Sequence, residues 1–268
     1  MSLNLEGLSE LSMWEDWQEI VRRSGDKFCA SPIYVQQRSQ RHEDFERTAE
    51  YVVRQGMIDL TGMTRDAEFG GLVRETKACG PVTRMWLDSN VEIDFLFRQF
   101  AELRRKHGTS LLSSKNVLDI GAGYGRLAVS MMPVVASYTC IDPVPISTEI
   151  CTKYCGRFAP SVRVMPLPEF CEKAVDSMAF SLAINVHSWN ECTFSQVARW
   201  VAVLVQLRVA YLFTVSNGSM LAGGKEAYAT WGGQGESFRP ILEHYYDLIA
   251  EEHIGLSYHP HALWRMKP

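Results

Sequence analysis

A glycine-rich turn that follows an acid is the segment of this chain best suited to chemistry on a nucleotide. Residues 116–125 read Asn-Val-Leu-Asp-Ile-Gly-Ala-Gly-Tyr-Gly, so Asp119 precedes a G-x-G-x-G motif formed by Gly121, Gly123 and Gly125. Glycine lets the backbone turn sharply and approach a ligand closely. The apolar residues before the turn predict a buried strand, and those after it predict a helix. This order of elements predicts a nucleotide-sized site at the carboxyl end of a parallel strand.

The glycine spacing and the acid indicate which nucleotide is bound. A dinucleotide-binding fold carries G-x-G-x-x-G, whereas Arg126 directly follows the third glycine here. The Asp119 carboxylate would repel a pyrophosphate, but it suits a ligand with a cationic amino group or a sulfonium. The motif resembles D/E-x-G-x-G-x-G, the first motif of the class I methyltransferases that use S-adenosylmethionine (SAM). The resemblance implies that SAM is bound by Asp119, Gly121, Ala122, Gly123 and Gly125.

Composition limits the class of protein. The chain has 268 residues, of which 46% are apolar and 22% are charged, so it can bury a core and is not a disordered chain. Its net charge of −4 argues against a broad nucleic-acid-binding surface. No apolar run approaches the roughly 20 residues of a membrane helix, and the N-terminus lacks a secretory pattern. We therefore expect no nucleic-acid partner, no membrane partner and a cytoplasmic location.

The cysteines indicate a reducing compartment rather than a disulfide framework. There are seven of them, an odd number, and none forms a zinc-type C-x-x-C pair. Free thiols in the cytoplasm are the interpretation that fits this count. Cys151 and Cys155 lie one helical turn apart, which we interpret as core packing rather than a metal site.

The first hundred residues predict helices that are separate from the sheet. We place a helical N-terminal cap at 1–108 and the SAM-binding core at 109–268. Ser89 and Glu92 match a capping box. The apolar residues predict packing against the sheet, or a cap that closes over the active site and helps to select the substrate. At helical spacing these residues are Leu8, Leu11, Trp14, Trp17, Ile20 and Val21, then Phe45, Ala49, Val52 and Val53 before Gly56, and then Ile93, Leu96, Phe97, Phe100 and Leu103.

From residue 116 the chain alternates strands and helices, which predicts an α/β fold with a parallel sheet. The resembled fold is Rossmann-like and doubly wound, with seven strands of which the last is antiparallel. The second strand ends at Asp142, where an acid can accept hydrogen bonds from both hydroxyls of a ribose. A turn or helix-capping role for Asp142 is the alternative. We expect Ser147 to cap the following helix, and Leu167 to cover the adenine after the third strand, 162–165.

The fourth predicted strand, 178–184, ends in a polar cluster at 185–191, where catalytic groups gather in this fold. The N-P-P-Y pattern of enzymes that methylate exocyclic or amide nitrogens is absent. His187 is the candidate base for removing a proton from a hydroxyl as it attacks the methyl group, because imidazole titrates near neutral pH. A structural or substrate-contacting histidine is the alternative. Glu191 pairs with His187, binds substrate, or caps the next helix, 194–207.

Residues 89–217 also resemble a bacterial group of sugar O-methyltransferases. That group shows an N-x-x-S-x-x-E-M-T-like stretch and a later strand that ends in Asn. The resemblance implies that the acceptor is a sugar and that the first Asn of the stretch helps to bind the cofactor. In this chain Cys192 replaces the methionine. The matching residues are Asn185, Ser188, Glu191, Thr193 and Asn217.

The last part of the chain predicts a strand, a loop, a helix and a hairpin. The glycine-rich segment 218–237 follows a fifth strand and is interpreted as a mobile lid or substrate loop, with disorder as the alternative. Tyr228 and Trp231 are available there to cover a ring. A helix over 239–252 then leads to a closing hairpin with a turn at His259-Pro260.

Three functions are compatible with these patterns. The leading hypothesis is direct methyl transfer from SAM to a hydroxyl of a sugar or other small molecule, with S-adenosylhomocysteine (SAH) as the product. The alternatives are an NAD-dependent oxidoreductase, which the glycine spacing disfavours, and a non-catalytic SAM-binding or regulatory module. Some sugar methyltransferases use a divalent metal, to which Glu191 and Asn217 could contribute, but no ligand cluster in the sequence requires one. The oligomeric state stays open, a homodimer included.

Overall fold

The computed structural model describes residues 15–30, 41–56, 62–177, 179–217, 226–230, 236–256 and 259–268. The helices are α1 Glu15–Ser24, α2 His42–Gln55, α3 Arg84–His107, α4 Arg126–Met131, α5 Pro145–Phe158, α6 Leu167–Ser177, α7 Phe194–Gln206 and α8 Arg239–Tyr245. The strands are β1 Val73–Thr76, β2 Gly80–Thr83, β3 Asn116–Ile120, β4 Ser137–Asp142, β5 Arg163–Pro166, β6 Leu182–Val186, β7 Tyr211–Val215, β8 Tyr246–Ile254 and β9 His259–Met266.

Seven of the strands form one sheet in the order β5-β4-β3-β6-β7-β9-β8. Strands β5, β4, β3, β6 and β7 are parallel, and β9 runs antiparallel to both β7 and β8. The chain moves outward from β3 to β5 and then returns to β6 on the other side of β3. The carboxyl ends of β3 and β6 therefore form a topological switch point, where ligands bind in open α/β sheets. The predicted Rossmann-like sheet with an antiparallel last strand is confirmed.

Helices cover both faces of the sheet, which explains why its central strands are almost wholly apolar. One buried cluster joins the sheet to α3, α4 and α5, and a second joins it to α6, α7 and α8. The Phe95 ring of α3 stacks on Phe213 of β7 with centroids 5.5 Å apart. Helix α3 thus shares a core with the sheet, while the boundary predicted after residue 108 stays a prediction.

The second predicted apolar stripe packs away from the sheet. Phe45, Ala49 and Val52 of α2 are buried against Val82 and residues of α3. Gly56 ends α2 in the left-handed conformation, as predicted. The first stripe falls outside the described residues from Leu8 to Trp14. In the described part of the chain, no helix has the length and apolar character needed to span a bilayer.

Three predicted helix caps are wrong. Helix α3 begins at Arg84 and is capped by Thr83, whose side chain accepts a hydrogen bond from the Trp86 amide, so Ser89 and Glu92 lie inside the helix. Helix α5 begins after Val144 without a side-chain cap, so Ser147 also lies inside its helix. The cap of α7 is Thr193, which forms a reciprocal capping box with Gln196, and not Glu191. A hairpin, β1–β2, also precedes α3 where the sequence predicted only helices.

The predicted helix over 239–252 is also wrong beyond its first two turns. Helix α8 ends at Tyr245, and β8 begins at the next residue. Strand β8 pairs with β9 along its length, so His259-Pro260 belongs to a strand rather than to the turn. A long antiparallel ladder forms between segments close in sequence, and its hydrogen bonds override the weak helix propensity of these residues.

A buried carboxylate ties the N-terminal segments to the glycine-rich turn. Asp66 lies in a short 3₁₀ turn and is 3% exposed. It accepts hydrogen bonds from the hydroxyls of Thr83 at 2.9 Å, Tyr124 at 3.1 Å and Tyr154 at 2.7 Å. One side chain therefore joins the start of α3, the glycine turn and α5.

We predict that Asp66→Ala lowers the free energy of unfolding by about 3 kcal/mol, because three buried hydroxyls lose their shared acceptor. Urea unfolding followed by circular dichroism measures the change. Asp247→Ala, at an exposed position of β8, is the matched control and should leave the midpoint unchanged. An equal response in the two variants would mean that the network contributes nothing to stability.

Candidate active site

The glycine-rich turn lies at the carboxyl end of β3, as the sequence predicted. Gly121, Ala122 and Gly123 are partly exposed, so this part of the turn is open to a ligand. Gly121 has φ +74°, and a Cβ built on it would lie 2.0 Å from the Ser188 hydroxyl. Only glycine fits there, because a side chain would displace the loop that follows β6. The glycines thus allow the sharp turn, and they also allow this turn to contact the loop after β6 closely.

The two predicted acids lie on the same face of the sheet. Asp119 is paired in register with Cys140, and Asp142 follows two residues later on β4, so both side chains point to the face covered by α3, α4 and α5. The Asp119 carboxylate accepts a 2.8 Å hydrogen bond from the Tyr138 hydroxyl. The Asp142 carboxylate accepts from the Gly123 amide at 3.0 Å and from the Val144 amide at 2.8 Å. Asp142 therefore holds the glycine turn and still has acceptor capacity.

Burial raises the pKa of both carboxyl groups. It raises the pKa of Asp119 to about 7, opposed by the Tyr138 hydroxyl and Arg126 and assisted by the nearby charges of Glu92 and Asp142. Burial also raises the pKa of Asp142 to about 7, opposed by its two amide donors. A positive charge or a further hydrogen-bond donor would stabilise the ionised forms of these buried carboxylates. The pair is suited to a cationic ligand that carries hydroxyls.

Arg126 fixes α3 to the residue that follows the glycine motif. Its guanidinium donates to both carboxylate oxygens of Glu92, at 2.7 and 2.8 Å, and to the Ser89 hydroxyl at 2.9 Å. Glu92 is 2% exposed, and burial raises its pKa against the opposing effect of Arg126. The two residues predicted as a capping box therefore bind a buried cation instead.

Asn185 joins the ends of β3 and β6. Its amide nitrogen donates to the Ile120 carbonyl at 2.8 Å and to the Ser188 hydroxyl at 2.7 Å, and its oxygen accepts from the Trp189 amide at 3.1 Å. Both amide protons are used, so any contact to a cofactor would fall to the remaining oxygen lone pair. Leu167 is buried at the start of α6, next to Pro166, which pairs with Asp142.

Three histidines meet at the carboxyl ends of β6 and β7. His187 Nε2 lies 3.0 Å from His259 Nδ1, and His261 Nδ1 lies 2.9 Å from the His259 carbonyl. Because a carbonyl only accepts, His261 carries its proton on Nδ1. From the sequence only His187 was predicted as a site residue. His259 and His261 are two residues apart and therefore share a face of β9, but the sequence predicted a turn there and not a strand.

The environment keeps the three imidazoles neutral near pH 7. Burial and the adjacent His259 lower the pKa of His187 well below its ordinary value. Burial lowers the pKa of His259 to about 4 and the pKa of His261 to about 4. His187 also has a left-handed backbone with φ +66°, an uncommon conformation for a residue with a side chain. Strained backbone of this kind clusters at functional sites.

A cleft opens beside the histidines. Its cavity volume is about 20 Å³, roughly the space of one water molecule, and it is partly open to solvent. Its lining combines charged residues of α3 and the three histidines with apolar residues of α3, of β7 and around the end of β8. Its wall consists of Arg84, Asp88, Val91, Glu92, His187, Val215, Ile254, Gly255, Leu256, His259 and His261.

The remaining predicted site residues lie around this edge of the sheet. Asn217 follows β7, and its backbone N–H donates to the side-chain oxygen of Asn190 at 2.9 Å. Its own side-chain oxygen is buried and has no hydrogen-bond partner within the described part of the chain. Glu191 ends the 3₁₀ turn Ser188–Glu191 and is partly buried. Tyr228 is buried and donates to Glu251 at 2.6 Å, so it is not free to cover a ligand. Trp231 lies outside the described residues.

Comparison with known proteins finds distant similarity in solved structures. No protein-family model matches the chain. No curated protein matches it. The chain is similar to the PH0226 protein of Pyrococcus horikoshii OT3 with a TM-score of 0.46 and 12% identity, over 64% of this chain and 89% of that one. It is similar to the magnesium protoporphyrin IX methyltransferase ChlM of Synechocystis PCC 6803 with bound SAM, with a TM-score of 0.44 and 12% identity, over 70% and 86% of the two chains.

The N-methyltransferase NodS of Bradyrhizobium japonicum WM9, in complex with SAH, gives a TM-score of 0.43 and 16% identity, over 64% of this chain and 86% of that one. At these TM-scores and identities, the similarities assign neither a family nor a substrate to the chain. The strand order and the geometry of the site are the stronger observations.

We predict that Glu92→Ala destabilises the protein by about 3 to 5 kcal/mol, because it leaves the buried Arg126 guanidinium without its partner. Chemical unfolding of the purified variant measures the loss. Glu102→Ala, which removes an exposed partner of Arg105 and Lys106, is the matched control and should not change the unfolding midpoint. A Glu92→Ala variant as stable as Glu102→Ala would show that the buried pair does not hold α3 in place.

Proposed function

We propose that this protein is a SAM-dependent methyltransferase that transfers a methyl group to a hydroxyl of a small molecule. The observation that carries the proposal is the pair Asp119 and Asp142, two buried carboxylates on one sheet face beside an open glycine turn. A dinucleotide would bring its pyrophosphate to this turn, where the two carboxylates would repel it. SAM instead brings an ammonium, a sulfonium and two ribose hydroxyls, which are groups that a carboxylate binds.

The residues around the turn fit the parts of SAM in chain order. Asp119 and the turn Gly121–Gly123 would bind the amino-acid portion, and Asp142 the ribose hydroxyls. Leu167 offers apolar surface for the adenine, and Asn185 holds the loop after β6 against the turn. When bound, SAM supplies a methyl group activated by the positive sulfur. The transfer would join the methyl carbon to the acceptor oxygen as the carbon–sulfur bond breaks, with SAH as the product.

His187 is the proposed base for the acceptor hydroxyl. Its lowered pKa leaves the ring unprotonated at neutral pH, so it can accept a proton. If Nε2–H of His187 donates to Nδ1 of His259, then Nδ1 of His187 is free to accept. The bond to His259 would hold the His187 ring in the tautomer whose Nδ1 accepts the proton. His259 is thus a proposed positioning residue that no sequence pattern indicated.

The polar wall of the cleft favours a polar acceptor, and we propose a sugar or another polyhydroxylated molecule, for which the cleft would have to widen. Arg84, Asp88 and Glu92 place charged groups along one wall. Asn217 follows β7, and its side-chain oxygen has no hydrogen-bond partner among the described residues. Charged donors and acceptors of this kind bind hydroxyls. Glu191 is kept as a further acceptor-binding candidate. We propose that the reaction takes place in the cytoplasm, because all seven cysteines are free thiols.

SAM binding should release protons near neutral pH. Both Asp119 and Asp142 have a pKa of about 7 in the free protein, and a cationic ligand that donates hydrogen bonds favours their ionised forms. We expect calorimetry at about pH 6.5, in buffers of different ionisation enthalpy, to show release of roughly one to two protons per SAM bound. The release should fall toward zero above about pH 8.5, where both groups are already ionised. Affinity should rise over the same interval, because less ionisation has to accompany binding.

Asp142→Asn is the variant that tests the assignment. It should weaken SAM binding roughly 10- to 100-fold and remove about one of the released protons, because the amide neither ionises nor accepts as strongly. Asp247→Asn is the exposed control, and thermal unfolding checks that both variants are folded. If the wild-type protein bound neither SAM nor SAH, the proposed function would be wrong. Binding of NADH in their place would instead favour the oxidoreductase.

His187→Ala tests the proposed base. With an acceptor found by a methyl-transfer screen over sugars, glycosides, phenols and amines, we expect kcat to fall roughly 100-fold or more. SAM affinity should stay the same, because the proposed role of His187 is to contact the acceptor and not SAM. His107→Ala, at the exposed end of α3, is the matched control. Unchanged turnover in His187→Ala would rule out the base, and a protein that binds SAM but methylates nothing would favour the regulatory module.

A further inference from the structure

Three thiols meet directly behind the glycine turn. Cys140 lies on β4, and Cys151 and Cys155 lie one turn apart on α5, which packs on that strand. Their sulfur atoms are all within 4.8 Å of one another, and all three residues are buried. The sequence showed only the helical pair and indicated core packing. The third thiol comes from a different element, so only the fold brings it to the pair.

The sulfur spacing fits a shared metal ion better than it fits a disulfide. The Sγ atoms of Cys151 and Cys155 are 3.8 Å apart. A metal–sulfur bond of about 2.3 Å places neighbouring sulfurs about 3.8 Å apart in tetrahedral geometry and about 4.0 Å apart in trigonal geometry. A disulfide requires about 2.05 Å, and two cysteines one turn apart on a helix reach that only if the helix distorts. The observed spacing thus needs little rearrangement to hold an ion.

The backbone of the glycine motif leaves room for this cluster. Gly125 has φ +86°, and a Cβ built on it would lie 2.6 Å from Cys155 Sγ and 2.9 Å from Cys151 Sγ. Any other residue would press its side chain into the sulfurs. The absence of a side chain at Gly125 is therefore explained by the thiols beneath it, and not only by the ligand turn above it.

We propose that Cys140, Cys151 and Cys155 bind one soft, thiophilic metal ion of the Cu(I) class in three-coordinate geometry. Soft thiolate ligands select such ions over hard cations. Within the described residues, no histidine, carboxylate or fourth cysteine joins the group, and a three-coordinate ion needs none. Zinc prefers four ligands. Each thiol that becomes a thiolate ligand releases its proton to solvent, and the oxidation state of sulfur and metal does not change.

The test uses the reduced full-length protein under anaerobic conditions, with Cu(I) supplied from a competing chelator. We expect native mass spectrometry to show one Cu(I) per chain, and X-ray absorption to show three sulfur neighbours at about 2.3 Å. The triple variant Cys140→Ala, Cys151→Ala, Cys155→Ala should lose this binding. Cys171→Ala, which removes a half-buried thiol on α6, is the matched control and should retain it.

Two results would overturn the proposal. One is an absorption spectrum of the wild-type protein with nitrogen, oxygen or only two sulfur neighbours. The other is loss of binding in Cys171→Ala as large as in the triple variant, which would place the ion on scattered thiols. The wild-type spectrum decides the matter even if the triple variant does not fold. Neither measurement involves SAM, so the outcome is independent of the proposed function.

Discussion

The burial of two carboxylates at the ends of adjacent strands is the constraint that the rest of the site depends on. Strands β3 and β4 pair in register, so Asp119 and Asp142 reach the same face at the carboxyl edge of the sheet. An ionised carboxylate loses hydration there, and one hydroxyl and two backbone amides compensate only part of the cost. A cation that enters this environment is stabilised more than it would be at a solvated surface.

The same constraint explains the position of α3. Three carboxylates, Asp119, Asp142 and Glu92, come close to the glycine turn, and the guanidinium of Arg126 offsets part of their charge. The ion pair that results holds α3 against the start of α4. Arg84 and Asp88, on the first turns of α3, also line the histidine cleft. The ion pair between Arg126 and Glu92 therefore fixes the helix that forms one wall of that cleft. A helix from the N-terminal region therefore belongs to the architecture of the site.

Sequence patterns predicted those parts of the site that are formed by residues close together in the chain. The run from Asn116 to Arg126 contains its own strand, turn and helix start, and Asp142 follows one helix and one strand later. The rest depends on contacts between distant segments. Glu92 matched a cap because its pairing with Arg126 is invisible along the chain. Residues 246–252 matched a helix because their ladder with β9 forms only in the sheet, and His259 was missed because it was predicted to lie in a turn and not in β9. The contact of Cys140 with Cys151 was also missed, because β4 and α5 come together only in the folded protein.

The low pKa of His187 is compatible with the proposed role of a base. An alcohol that has accepted a methyl group is an oxonium ion, a far stronger acid than imidazolium, so even a weakly basic imidazole takes its proton. What the reaction requires is that the ring be neutral and adjacent when the carbon–oxygen bond forms. Burial and the neighbouring His259 secure the first condition. The strained backbone of His187 and the hydrogen bond between the two rings restrict the orientation of the imidazole, which serves the second. A histidine with an ordinary pKa would be protonated for a substantial fraction of the time at slightly acidic pH, and would then repel the sulfonium that it has to work beside.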